Sequence, residues 1–310
     1  MRGTKPRILV IKLGALGDFV QAMGPAAAIR AHHAGAEITL LTTAPFAELA
    51  RAAPYFDRVW IDERAGPLDL FALWRLRAQL RGAGFERVYD LQTSARSSWY
   101  YHLMGPGARP QWSGIAHGAS HPHANPKRDF MHTLDRQADQ LRMVGISSVP
   151  PLDLSWAKRD IARFSLPARF VLLVPGGAPH RPEKRWPIEN YAALARLITA
   201  RGATPVVIGG KDEAALGAAI MAACPKAVDL TNQTSFFDIV GLGAGALAAI
   251  GNDTGPMHLI VAAGSAATVL YSSASDPALT QPRGARVTIL RRTNLAMLTV
   301  DEVAATLHIS

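Results

Sequence analysis

An α/β protein built on parallel sheets is the fold class this sequence predicts, and three observations predict it. Short apolar runs rich in β-branched residues alternate with longer stretches of helical periodicity. The strands read as apolar on both faces, the mark of parallel sheets covered by helices on either side. The alternation also runs twice, before and after a proline-containing break, so two α/β halves are expected in the 310 residues, 49% of them hydrophobic.

In the first half, strands are expected at 7–13 (RILVIKL), 37–43 (EITLLTT), 58–63 (RVWIDE) and 87–92 (RVYDLQ). Helices are expected at 20–35, 45–54 and 70–84, the first and last ending at glycines that suit a C′ position, and a further helix at 130–145 closes the half. Residues 146–168 break the rhythm with Pro150, Pro151 and Pro167. The expected division is a domain at 1–150, a linker at 151–168 and a second domain at 169–310. In the latter, strands are expected at 170–176, 204–210, 227–231, 246–252 and 266–271, and helices at 188–202, 213–224, 236–246 and 257–264. No sequence repeat relates the halves; their likeness is architectural. Ligands of such sheets bind beyond the carboxyl ends of the strands, and two facing sheets place the site in the cleft between them.

Composition narrows the function. The net charge of +9, carried mostly by arginine, suits acidic partners such as nucleic acid, anionic lipid or a phosphorylated substrate, and equally a generally basic surface. At 18% charged residues the chain is not generally disordered. The single cysteine, Cys224, excludes an internal disulfide framework and a multi-cysteine zinc site. The start, MRGTKPRILVIKLG, lacks a signal-peptide apolar core, and no apolar run is long enough to span a bilayer, so a cytoplasmic location is expected.

Four loops after strands could carry chemistry. In GNDTGPMHLIVAAG (251–264), Asp253 or Thr254 can cap a helix with Pro256 in its first turn. The helix N-terminus is a seat for a diphosphate, Gly255 permits close approach, and Asp253 and His258 could meet a sugar nucleotide. A well-capped helix with an ordinary buried histidine accounts for the same residues. In PGGAPHRPEKRWP (175–187), Gly176 and Gly177 allow a tight turn, while His180, Arg181, Lys184 and Arg185 make it cationic. It lacks P-loop spacing and is either a phosphate site or a solvated basic loop. In GGKDE (209–213), Glu213 is either a ribose ligand or a residue favouring a helix start. In KLGALGDFVQA (12–22), the spacing of Gly14 and Gly17 fails the dinucleotide fingerprint, and no acidic residue ends the second strand. Asp18 is either an N-cap for a helix from Phe19 or a general base.

Taken together these loops resemble glycosyltransferase family 9, the ADP-heptose:lipopolysaccharide heptosyltransferases. The matching stretches are ILVIKLGALGDFVQAMGPAAAIR, VYDLQTSARS, VPGGAPHRPEKRWPIENYAALA, VVIGGKDE and IGNDTGPMHLIVAAG, within about residues 8–282. Ser272 stands where many members have a glycine. The resemblance implies a GT-B fold, two Rossmann-like domains with parallel sheets facing a central cleft. It implies inverting, metal-independent transfer of heptose from ADP-heptose to a hydroxyl of the lipid A–Kdo or heptose inner core, with no cofactor beyond the donor. By matching position, Asp18 becomes the catalytic base, Lys184 a phosphate ligand and Glu213 a ribose ligand. Asp253, Thr254, Gly255 and His258 bind the nucleotide sugar, beside Gly176 and Gly177. Gly17, Arg96, Lys127 and Arg128 are candidates for the acceptor side. The basic surface then suits the anionic inner core and peripheral contact with the inner face of its membrane. Two other readings are a GT-B-like nucleotide-sugar epimerase or phosphorylase, and a basic protein binding glycolipid or nucleic acid. Against nucleic acid stand scattered cations and the absence of helix-turn-helix, RNP or zinc patterns.

Overall fold

The computed structural model describes residues 5–66, 68–105, 107, 109–178 and 180–309. The first four residues of the N-terminal stretch and Pro179 of the basic loop lie outside them. The chain forms two compact units, Met1–Leu152 and Asp153–Ser310.

The first unit is a six-stranded, wholly parallel sheet. Its strands are β1 (Arg7–Ile11), β2 (Glu37–Thr42), β3 (Arg58–Ile61), β4 (Arg87–Asp90), β5 (Gln111–Gly114) and β6 (His121–Pro122), in the order β3-β2-β1-β4-β5-β6. Its helices are α1 (Leu16–Gln21), α2 (Met23–His32), α3 (Ala47–Ala52), α4 (Leu70–Gly82), α5 (Ala95–Met104) and α6 (Thr133–Arg142). The central strand is apolar on both faces because both are covered: Ile8, Leu9, Val10 and Ile11 are each at most 2% exposed. Each such side chain contributes roughly 1.5–3 kcal/mol on burial. The expected helix at 20–35 starts earlier and is split in two at Ala22. Pro25 explains the split, since it has no N–H to donate to the carbonyl of Gln21.

The second unit repeats the plan. Its strands are β7 (Phe170–Val174), β8 (Thr204–Val207), β9 (Val228–Asp229), β10 (Ala248–Asn252), β11 (Ala267–Tyr271) and β12 (Val287–Arg291), in the order β12-β11-β10-β7-β8-β9, again all parallel. Its helices are α7 (Ile188–Ala200), α8 (Ala214–Ala223), α9 (Phe236–Gly245), α10 (Gly255–Ala262), α11 (Pro277–Thr280) and α12 (Val300–Ala304). Counted from its own first strand, this is the order of the first unit read from the other edge. Both sheets are doubly wound, as in a Rossmann fold.

The stretch 151–168 begins at the boundary between the two units. From Asp153 on it is docked onto α9, where Arg163 pairs with Asp238 at 2.7 Å and Arg159 lies over the Phe237 ring. No helix among the described residues is long and apolar enough to cross a membrane.

Candidate functional site

In a doubly wound sheet the strand order reverses at one point, and loops leaving the two strands there diverge to leave a crevice. In the second unit that point lies between β7 and β10. The loops leaving these strands are the two motif-bearing stretches, 175–187 and 253–255. They border a cavity of 370 Å³ whose wall includes Gly176, Gly177, Lys184, Glu213, Asp253, Thr254 and Gly255. Seven of the eight residues expected to bind the nucleotide sugar are thus brought together. The eighth, His258, is only 7% exposed, sits one turn further into α10 and is not part of that wall.

Asn252 holds the two loops in register. Fully buried at the end of β10, it donates Nδ2 to the carbonyls of Pro175 (2.8 Å) and Gly176 (3.0 Å), while its Oδ1 accepts from the Trp186 amide (3.0 Å). Lys184 then reaches Asp253: Nζ donates to Oδ2 at 2.7 Å, and Ser275 Oγ donates to the same oxygen at 2.7 Å. Burial works to raise the Asp253 carboxyl, but the Lys184 and Ser275 hydrogen bonds and the lysine's charge outweigh it and hold it below the usual carboxylate range. At the mouth of α10, Thr254 is the N-cap yet makes no capping bond, and its buried Oγ1 has no hydrogen-bond partner. The helix begins with the backbone of Gly255. An unpartnered hydroxyl beside open helix N–H groups and a lysine is a set of donors suited to an anion.

Glu213 belongs both to a helix start and to the cavity wall. It ends the helical turn before α8, where Oε2 accepts from the Gly210 amide at 2.7 Å, and it lines the cavity. Glycine is required around it: a Cβ at Gly176 or Gly209 would come within 2.7 Å of the Glu213 side chain. Its remaining acceptor capacity suits a diol.

In the first unit the reversal lies between β1 and β4, and helix α1, which follows the loop after β1, carries Asp18. The sequence allowed Asp18 to be an N-cap; the structure corrects this. Helix α1 starts at Leu16 with Ala15 as its N-cap, so Asp18 is its third residue and caps nothing. Gly14 makes the turn possible, with φ +127° and the Phe46 ring 2.7 Å from where a Cβ would stand. Half-buried Gly17 precedes Asp18 within the helix.

The Asp18 carboxylate faces two cations that sequence reading did not single out, Lys12 and Arg136. Burial lowers the Lys12 ammonium while Asp18 and Asp90 sustain its charge; its Nζ donates to the Leu91 carbonyl at 3.2 Å. Burial and neighbouring Arg128 lower the Arg136 guanidinium, against the pull of Asp18 and Asp129. Arg136, on helix α6, thus interacts both with Asp18 and with Arg128 of the turn before that helix. Arg96 is engaged elsewhere: it grips Asp62 with Nε (3.0 Å) and Nη2 (2.9 Å) and lies over the Tyr100 ring. Lys127 is exposed on the turn before Arg128.

Asp90, at the end of β4, is fully buried, and burial pushes its carboxyl up to about 6 against the amides of Thr93 and Gln92 and the attraction of Lys12. An unfolded aspartate titrates near 3.9. Between about pH 4 and 6 the folded state therefore holds the extra proton, and stability falls as pH rises through that window. Asp90→Asn removes this slope, and between pH 4 and 7 it should gain about 3 kcal/mol on the parent. His33, whose imidazole burial lowers to about 4, slopes the other way. The measurement is accordingly the variant-minus-parent difference in urea stability at the two pH values; a constant difference would remove the charge penalty assigned to Asp90.

Comparison with known proteins places this geometry. The model of glycosyltransferase family 9 (heptosyltransferase) matches residues 73–309. Lipooligosaccharide heptosyltransferase 2 of Haemophilus influenzae is 32% identical over 120 residues, 37% of this chain and 34% of that one, so that alignment spans about a third of the relative. Lipopolysaccharide heptosyltransferase 2 of Escherichia coli is 24% identical over 314 residues, 92% of this chain and 88% of that one. Among solved structures, the E. coli heptosyltransferase WaaC with ADP superposes with a TM-score of 0.77 at 19% identity, over 96% of this chain and 98% of that one. The fold is GT-B in type.

Proposed function

Because the chain belongs to glycosyltransferase family 9 and is a glycosyltransferase, we propose that it moves heptose from ADP-heptose to a hydroxyl of the lipopolysaccharide inner core. The transfer inverts the anomeric centre and uses no metal, with Asp18 as general base. The observation that carries this reading is the C-terminal cavity, where Lys184, the Thr254 hydroxyl and the start of α10 converge beside a glycine-cradled Glu213.

In the proposed reaction the acceptor oxygen attacks the anomeric carbon as the bond to the diphosphate breaks. The electron pair leaves with ADP, and Asp18 takes the hydroxyl proton. Charge grows on the departing diphosphate, which Lys184 and the α10 N–H groups are suited to stabilise. Glu213 binds the ribose. Arg128, Arg136 and Lys127 offer charge to phosphates or carboxylates of an inner-core acceptor, on the cytoplasmic face of a membrane. The E. coli neighbour holding ADP supports an adenine nucleotide as donor.

Thermal-shift measurements against ADP, ADP-heptose and uridine-based sugars test the donor. Stabilisation of RT ln(1 + [L]/Kd) is expected from the adenine nucleotides. Stabilisation by uridine nucleotides alone, or ADP release without any acceptor, would replace this reading with another nucleotide-sugar reaction.

A further inference from the structure

We propose that the edge of the N-terminal unit formed by Leu68, Leu70, Phe71 and Trp74 is the surface by which the protein sits on an anionic phospholipid bilayer. These four side chains are 93%, 74%, 67% and 64% exposed. They occupy the end of the loop after β3 and the first two turns of α4, and the Phe71 and Trp74 rings stack with centroids 6.3 Å apart. Scattered exposed apolar residues are ordinary on a protein surface; a contiguous aromatic and aliphatic cluster marks a surface to be covered.

Helical spacing puts Leu70, Phe71 and Trp74 on one face, and Leu76 and Leu80 bury the other. Down the helix, Arg81 continues the exposed face and Arg75 lies over the Phe71 ring, so exposed arginines flank the apolar tip, while half-buried Arg77 donates to the Leu103 carbonyl at 3.0 Å. Such an arrangement sets aromatic rings at the depth of the lipid headgroups with cations against anionic phosphates. The nearby acids are already engaged. Asp62 holds Arg96, Glu63 pairs with Arg75 at 3.1 Å, and Asp69 accepts from the Ala72 amide at 3.0 Å as the N-cap of α4. Leu73 of the same helix lines a hollow of 280 Å³ with Ala65, Arg96 and Trp99.

Its place in the fold fits a lipid surface. The loop after β3 leaves the same end of the sheet as the loop bearing Asp18. Arg64 Nη2 donates to the Leu13 carbonyl at 3.4 Å, and residues 61–64 border one cavity together with Gly14 and Ala15. A bilayer at this edge lies on the side of the unit where Asp18 is displayed. The proposal rests on the reading above for why a membrane-borne acceptor matters, but the binding itself needs neither donor nor acceptor.

Flotation of the full chain with vesicles of phosphatidylglycerol and phosphatidylethanolamine, against phosphatidylcholine alone, tests it. The parent should float with the anionic vesicles, less at high salt and less with phosphatidylcholine. Phe71→Ser/Trp74→Ser should lower partitioning about tenfold or more, whereas Trp74→Phe keeps it. Arg75→Gln and Arg81→Gln should each weaken anionic binding roughly fivefold. An unchanged melting profile confirms that each variant is folded, since the aromatic pair is exposed. Absence of flotation by the parent, or parent-like flotation of Phe71→Ser/Trp74→Ser, overturns the proposal. So does a parent dimer that the same variant turns into a monomer, which would make a second copy the occupant. None of these outcomes touches the nucleotide-binding test, so failure here and failure of the proposed function are read separately.

Discussion

Asp18→Asn is expected to lower turnover by roughly 10²- to 10⁴-fold at saturating donor and acceptor while leaving the affinity for ADP unchanged. The physical case begins with what Asp18 does not do. It is the third residue of α1 and makes no capping bond, so the amide variant loses no N-cap interaction. What it loses is a carboxylate facing two cations, Lys12 and Arg136. Those cations have a separate consequence, because their charges face each other more strongly once the anion is gone. A purely structural role for Asp18 therefore predicts a lower melting temperature with near-parent turnover. A role as base predicts the reverse: a modest stability change and a large loss of kcat. Calorimetric ADP titration, thermal melting and kcat on one preparation separate the two, and near-parent kcat removes the base assignment.

How much of this was legible beforehand depended on contrast. The long apolar strands and strongly periodic helices stood out, and with them the two parallel sheets. β5 and β6 escaped because they are four and two residues long, with a hydrophilic or aromatic pattern that carries little period. Helix α5 escaped for a related reason. Its sequence, ARSSWYYHLM, is poor in strong helix formers, and its clearest signal is the Ser94 and Ser97 capping box rather than a stripe. β12, VTILR, carries the β-branched, apolar pattern of a strand. At the site, the glycine-rich and Asn-Asp-Thr-Gly loops were readable because they are short local motifs that end strands. Lys12 and Arg136 were not. Lys12 reads as the polar end of a strand, and Arg136 comes from a helix more than a hundred residues later in the chain than Asp18. Only the tertiary fold brings that pair of charges to the same carboxylate. Arg96 illustrates the converse. A cation after a strand reads as a ligand for anions, and nothing local reveals that Asp62, 34 residues earlier, holds it.

Lys184→Met should be the most damaging single change in the C-terminal unit, and its two effects can be separated. Lys184 and Asp253 are 2.7 Å apart with side chains only 14% and 13% exposed. Deleting the lysine leaves a buried carboxylate without its cation, with Ser275 still donating to it, which costs about 3 kcal/mol or more. The cost has a pH signature. Asp253 is held below the usual carboxylate range in the parent, so its contribution is present above the unfolded value and is lost as pH falls through the lowered folded value. Without Lys184 that contribution disappears, and the variant's deficit should shrink at acid pH. Asp253→Asn in the same molecule removes the stranded charge and should recover most of the stability. Turnover should not recover with it. If Lys184 also carries charge for the departing diphosphate, its loss lowers kcat by roughly 10²- to 10³-fold whether or not Asp253 is neutral. Urea midpoints and single-turnover rates on the parent, the single variants and the double variant give the full cycle. A double variant that regains both stability and turnover would make the Lys184–Asp253 pair a structural brace, and the diphosphate would then have to be held by Thr254 and the first turn of α10 alone.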